Sequence, residues 1–301
     1  MKKLLPLFLA LLLALAACGP AADTGEDTAK GGAVVVATTY PVYLFASAVT
    51  EGVDGYDVEL MIDQPVSCLH DYTLSVNDMR ALEGADVIVM NGAGLEETME
   101  DALSSVGEKP VIDCSEEIDL LPSPEDPQEP DPHIWMDPEL ACGMLSNLAD
   151  GLGGLDPDHA AAFASNADDA AEAIRSAHET LKAQLADLPC RELITFHDGF
   201  QYFARAFDLT ILRAIEEEAG SEASAKEVGD ILSDISTYDL PAVFTEINGS
   251  TSTADLIARE AGIGTAPLDL LMSRSHAGNG GIDEYVGRLT NNITTIQEAY
   301  S

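Results

Sequence analysis

Phe163, Ala167, Ala170, Ile174, Ala177, Leu181, Leu185 and Leu188 recur at spacings of three and four, which places them on one face of a single helix. Asp156 is the expected N-cap, Pro157 suits the first helical position, and Pro189 stops the run. The spacing predicts a helix over 156–188, roughly 45–50 Å long at 1.5 Å per residue. It stands between two blocks that each alternate β-branched apolar runs with helical patterns. It therefore reads as a rigid spine between two lobes rather than as an ordinary core helix.

In the first block, strands are expected at 34–38, 58–62, 87–90 and 111–112, with helices around 43–50 and 75–83, the latter capped by Ser75. In the second, strands fall at 193–196, 209–212, 242–245 and 264–268, with helices near 200–206, 225–237, 252–261 and 282–299. Strand followed by helix, repeated, calls for parallel sheets with helices on both faces. The expected fold is α/β with two lobes, 33–155 and 189–301, joined by the helix 156–188. No tandem repeat relates the halves.

Residues 1–17 read as an export signal: Lys2 and Lys3, an apolar run to Leu15, then small residues. The run is short of the ~20 residues that span a bilayer. Leu15-Ala16-Ala17-Cys18 resembles a bacterial lipobox, so Cys18 is the expected lipidation site. Residues 18–32 then form a flexible tether reaching about 20 Å. The body would be extracytoplasmic and lipid-anchored to the cell membrane, and a monomer.

A formal charge of -39 argues against nucleic-acid partners, which need a basic footprint. An acidic surface attracts cations but serves solubility equally well, so charge alone does not identify a metal protein. No cysteine pair has the CxxC spacing of a zinc knuckle or redox motif. Cys68 and Cys114 each follow an expected strand of the first lobe and are expected to pair after export; Cys142 and Cys190 are expected to be free and buried. Residues 115–131 carry seven acids and four prolines and are expected to be a mobile loop. That loop would raise the local cation concentration without forming the main site.

Ligands of open parallel sheets bind beyond the carboxyl ends of the strands. His70 lies past the second strand, His133 follows the acidic segment, His197 comes directly after strand 193–196, and Asp269 follows the last strand. Two groups from each lobe would face one cleft, and three imidazoles with one carboxylate suit tetrahedral Zn²⁺. Glu246 also stands at a strand's carboxyl end and could ligate, or accept from a histidine N–H. His276 reads as a solvated lid residue in a glycine-rich loop, while His159 and His178 fall on the long helix as exposed side chains. Gly92-Ala93-Gly94 lacks the third glycine of a dinucleotide fingerprint and reads as a turn.

Four segments occur in order: His70-Asp71-Tyr72-Thr73-Leu74; Asn91-Gly92-Ala93-Gly94-Leu95-Glu96; Asp131-Pro132-His133-Ile134-Trp135-Met136-Asp137-Pro138; and Thr195-Phe196-His197-Asp198-Gly199-Phe200-Gln201-Tyr202-Phe203. Together they resemble the zinc- and manganese-binding solute receptors of bacterial ABC importers, over essentially the whole chain after the export signal. The resemblance implies two α/β lobes joined by one long helix, and a metal held between them by His70, His133, His197 and Asp269. It also implies a membrane permease as partner and no enzymatic activity. Manganese members typically carry a carboxylate where this chain has His197, so zinc is the expected ion and manganese the alternative. Many zinc members have a histidine-rich loop before the second ligand; here that loop is acidic. A zinc metallohydrolase ranks lower, because no HExxH pattern or spare base accompanies the histidines. A surface adhesin is a further alternative. Ligating imidazoles must be neutral, so binding should weaken as pH falls through the histidine range.

Overall fold

The computed structural model describes residues 33–66, 69, 72–124, 126–215, 224–274 and 280–301. The expected export signal and tether, together with Cys18, Cys68, His70, Asp71, Glu125 and His276, lie outside the described residues. The first lobe runs β1 (Ala33–Ala37), α1 (Tyr40–Val49), β2 (Tyr56–Leu60), α2 (Val76–Gly84), β3 (Val87–Met90), α3 (Glu100–Ser105) and β4 (Val111–Asp113). Two helices follow, α4 (Pro138–Leu155) and α5 (Ala160–Gln184). The second lobe runs β5 (Glu192–Phe196), α6 (Gln201–Ala206), β6 (Thr210–Ala214), α7 (Ala225–Tyr238), β7 (Ala242–Glu246), α8 (Ser252–Ala261), β8 (Gly264–Leu268) and α9 (Gly281–Ala299).

Each lobe holds a parallel four-stranded sheet, ordered β2-β1-β3-β4 in the first and β6-β5-β7-β8 in the second. Both orders reverse direction beside the lobe's first strand, and that reversal opens a crevice at the strands' carboxyl ends. Local signals explain the helix starts. Ser75 and Asp78 form a reciprocal capping box on α2, as Ser224 and Glu227 do on α7. Helix α1 begins earlier than the apolar pattern suggests, because Pro41 fits its first turn.

The long helix is shorter than expected. It starts at Ala160, and its 25 residues span about 37 Å. Asp156 caps a turn instead of the helix: its carboxylate accepts from the Asp158 amide at 3.1 Å and the Tyr56 hydroxyl at 2.8 Å, and meets His159 Nδ1 at 2.6 Å. These partners, two local and one from β2, outcompete the helix for Asp156. His178 is not exposed. It is 13% accessible, packs edge-on against Phe207, and places Nε2 at 2.9 Å from the Ala206 carbonyl.

Helix α5 does not join the lobes alone. Helix α9 of the second lobe lies against α1 of the first, with Phe45 edge-on to Tyr285 at 5.3 Å. The Tyr285 hydroxyl donates to the Trp135 carbonyl at 2.6 Å, and Trp135 Nε1 donates to the Leu270 carbonyl at 2.8 Å. One apolar core cluster therefore runs through both lobes. Among the described residues no helix is long and apolar enough to cross a membrane.

Cys114 is a free, fully buried thiol, and its expected partner Cys68 lies outside the described residues. It packs into the core, where burial, with the charges of Asp113 and Glu96, pushes its pKa upward. Cys142 is free and buried; Cys190 is free but only half-buried. Within the acidic segment, the described residues flanking Glu125 pair as a hairpin between Leu121 and Asp131. Ser123 N donates to the Glu129 carbonyl at 2.9 Å, Asp131 N to Leu121 at 2.8 Å, and the Tyr202 hydroxyl of the second lobe receives Leu121 N at 2.8 Å.

Candidate metal centre

His133 lies between the acidic hairpin and a short 3-10 turn, Ile134–Met136, and is 5% exposed. Asp131, itself 1% exposed, accepts from the His133 amide at 3.0 Å and contacts Nδ1 at 2.8 Å. The Asp131 carboxylate is held in turn by Gln201 Nε2 at 3.0 Å, and its carbonyl by the Tyr202 hydroxyl at 3.0 Å. A carboxylate at Nδ1 keeps the proton there and leaves Nε2 as a donor atom.

His197 follows β5 at its carboxyl end and is 5% exposed. Its ring stands 5.6 Å from that of His133, centroid to centroid, with the planes at 85°. Its carbonyl is fixed by the Thr195 hydroxyl at 2.8 Å. Two groups meet Nδ1: the Gly199 amide at 3.0 Å and Asp198 Oδ1 at 3.1 Å. The amide favours an unprotonated Nδ1, and the carboxylate favours Nδ1–H. As placed, Nδ1 accepts the Gly199 amide, and Asp198 Oδ1 meets the same nitrogen as an ion-pair contact and not as a hydrogen bond.

His133, His197 and Asp198 offer ligand atoms within 4.8 Å of one another, and all three are buried. The sequence gives Asp198 no role of its own and Asp131 only a share in the acidic segment. The available signal was the same in both cases, a carboxylate one or two residues from a candidate ligand histidine. Gly199 was missed as well. A Cβ there would stand 2.7 Å from His133 Cδ2 and 2.8 Å from Nε2, so the bare backbone is what lets the two histidines approach.

Glu246 and Asp269 close β7 and follow β8. Glu246 is 2% exposed; its Oε2 accepts from the Asn248 amide at 2.6 Å, while Oε1 has no hydrogen-bond partner among the described residues. Burial pushes Glu246 up to about 7, opposed by the Asn248 amide and His197 and reinforced by Asp269. Asp269 is half-buried. Its Oδ1 accepts from the Leu271 amide at 2.7 Å, and its Oδ2 from Arg288 at 3.2 Å. Neither residue joins the group of His133, His197 and Asp198 among the described residues. Buried imidazoles backed by carboxylates, with further carboxylates nearby, form a donor set for a divalent cation and repel anions.

Glu96, buried where β1 and β3 end, is likewise raised to about 7 by burial, despite donors from Thr38, Asn91 and Gly92. Both glutamates have folded pKa values above the unfolded 4.5, so their contribution to stability is present below that value and lost as pH rises through 7. The metal-free protein is therefore expected to melt higher near pH 5.5 than at pH 8, each group supplying about 2 kcal/mol over that interval. Glu246→Gln should remove part of that difference by stabilising the protein at pH 8. Thermal melts in chelator check this; a pH difference unchanged in the variant would refute the assignment to Glu246.

A sequence profile of the family described as zinc-uptake complex component A, periplasmic (ZnuA) matches residues 35–299. The chain is 24% identical over 304 residues to the manganese-binding lipoprotein MntA of Halalkalibacterium halodurans, covering 100% of both. It is 26% identical over 277 residues to the high-affinity zinc uptake system protein ZnuA of Bacillus subtilis, covering 87% of this chain and 86% of that one. A ZnuA crystal structure superposes with a TM-score of 0.77 at 26% identity, covering 90% of this chain and 100% of the other.

Proposed function

Since the chain belongs to the ZnuA family of zinc-uptake components, we propose that it is an extracytoplasmic receptor that captures zinc between its lobes and delivers it to the permease of an ABC importer. The family is one of metal-binding transport receptors and not a known enzyme family. The ligands of this reading are His70, His133, His197 and Asp269, with Asp131 hydrogen-bonded to the His133 ring, Asp198 beside the His197 ring, and Glu246 as the alternative carboxylate. Cys18 carries the lipid that keeps a monomeric body at the membrane.

The observation that supports it best is the approach of His133 and His197, each with a carboxylate at Nδ1. An ion bound mainly by imidazole nitrogen is a borderline-soft one, which favours zinc; manganese prefers more oxygen. The acidic hairpin fits a supporting role, because its Asp126 and Glu129 line a cavity of about 210 Å³ that extends to Asp198. The manganese reading draws on the carboxylates around the site and on the name of the MntA relative.

Elemental analysis of protein purified without added metal should find one zinc per chain, retained against excess manganese. His133→Ala and His197→Ala should each abolish that retention. Zinc content unaffected by both substitutions would overturn the reading.

A further inference from the structure

Arg288 on α9 is 8% exposed and lies between two carboxylates. Its Nη1 donates to Asp269 Oδ2 at 3.2 Å, its Nη2 to Glu284 Oε1 at 2.8 Å, and its guanidinium lies 5.0 Å over the Tyr40 ring. One turn further along α9, Asn292 pins the Asp269 backbone from both sides, accepting from its amide and donating to its carbonyl, each at 2.8 Å. With Oδ1 committed to the Leu271 amide, every polar atom of Asp269 is engaged. Leu271 itself is held at φ 63. A buried leucine in the left-handed region is unfavourable, so the turn presenting Asp269 is imposed by its surroundings.

A carboxylate held this way offers an arriving ion little. It cannot swing to present both oxygens, and a guanidinium already shares its negative charge. A hard cation that gathers six or more oxygens depends on carboxylate charge and bidentate freedom. A tetrahedral ion held chiefly by imidazoles depends on them far less.

We propose that Arg288 is a specificity-determining residue, which restrains and part-neutralises Asp269 so that manganese is disfavoured relative to zinc. The proposal rests on Asp269 acting as a ligand. It also gives α9 a second task beyond packing on α1, as the element that sets how much charge the second lobe presents to the ion.

The test is competitive titration of the full chain with zinc and manganese salts, on Arg288→Gln, Arg288→Lys, Asp269→Asn and the double variant of Asp269→Asn with Arg288→Gln. Thermal melts establish that each is folded. Arg288→Gln should lower the zinc-over-manganese preference about tenfold, chiefly by tightening manganese. Arg288→Lys, which keeps the charge, should retain part of the preference; if the glutamine variant does not fold, an unchanged ratio in the lysine variant overturns the proposal. In the Asp269→Asn background the Arg288→Gln effect should vanish. A ratio unchanged by Arg288→Gln, while Asp269→Asn still weakens binding, overturns the role of Arg288 and leaves the ligand standing. Affinities unchanged by Asp269→Asn overturn the ligand, and this proposal with it.

Discussion

Gly199→Ala is expected to weaken zinc binding about 100-fold while leaving the secondary structure intact. The added Cβ would stand 2.7 Å from His133 Cδ2, 2.8 Å from His133 Nε2 and 2.9 Å from Leu270 Cδ2. Gly199 is not among the residues of positive φ, so alanine brings no backbone strain and the effect is one of space alone. His133 cannot yield without breaking its 2.8 Å contact to Asp131, and Leu270 is fully buried. Crowding of this kind also costs about 1–3 kcal/mol of stability. Chelator competition measures the affinity and a denaturant titration the stability. Wild-type affinity in a folded Gly199→Ala protein would show that His133 Nε2 does not face the ion.

The largest expected loss of stability comes from Trp135→Ala. Trp135 is fully buried, its indole donates to the Leu270 carbonyl of the second lobe, and its own carbonyl accepts from Tyr285. Truncation removes a large apolar volume at about 3–5 kcal/mol and leaves the Leu270 carbonyl unpaired for about 1–3 kcal/mol more. Trp135→Phe should cost distinctly less, since most of the apolar contact survives. The chain has a single tryptophan, so unfolding must be followed by circular dichroism instead of its fluorescence. The indole also packs 5.3 Å from the His133 ring, so metal affinity should fall together with stability. A loss below about 2 kcal/mol would mean that the lobes do not share this core.

The strands were legible because buried parallel strands are runs of β-branched and apolar residues, and 34–36, 87–89 and 242–244 are short runs of that kind between helical patterns. His133 and His197 stood out by following strands or loops at the end of a sheet where ligands bind. The carboxylates behind them did not stand out. Asp131 was grouped with six neighbouring acids of the hairpin, yet it alone among those described is buried, because Gln201 and Tyr202 of the other lobe receive it. The start of α5 was misplaced for a similar reason: Tyr56, a hundred residues away, accounts for one of the contacts that take Asp156 out of the helix. His178 looked exposed on a helix and is covered by Phe207.

Local periodicity and turn chemistry act between neighbours, so the chain alone determined the two parallel sheets, the helices between them and the histidines at the strand ends. Which side chain meets which across the cleft is set by packing between segments far apart in sequence. Only the tertiary structure therefore decided that Gln201 and Tyr202 secure Asp131 behind His133, that Gly199 leaves the His133 ring room, and that Arg288 engages Asp269. Those contacts depend on distances of a few ångströms between separate elements, and nothing in the order of residues encodes such a distance.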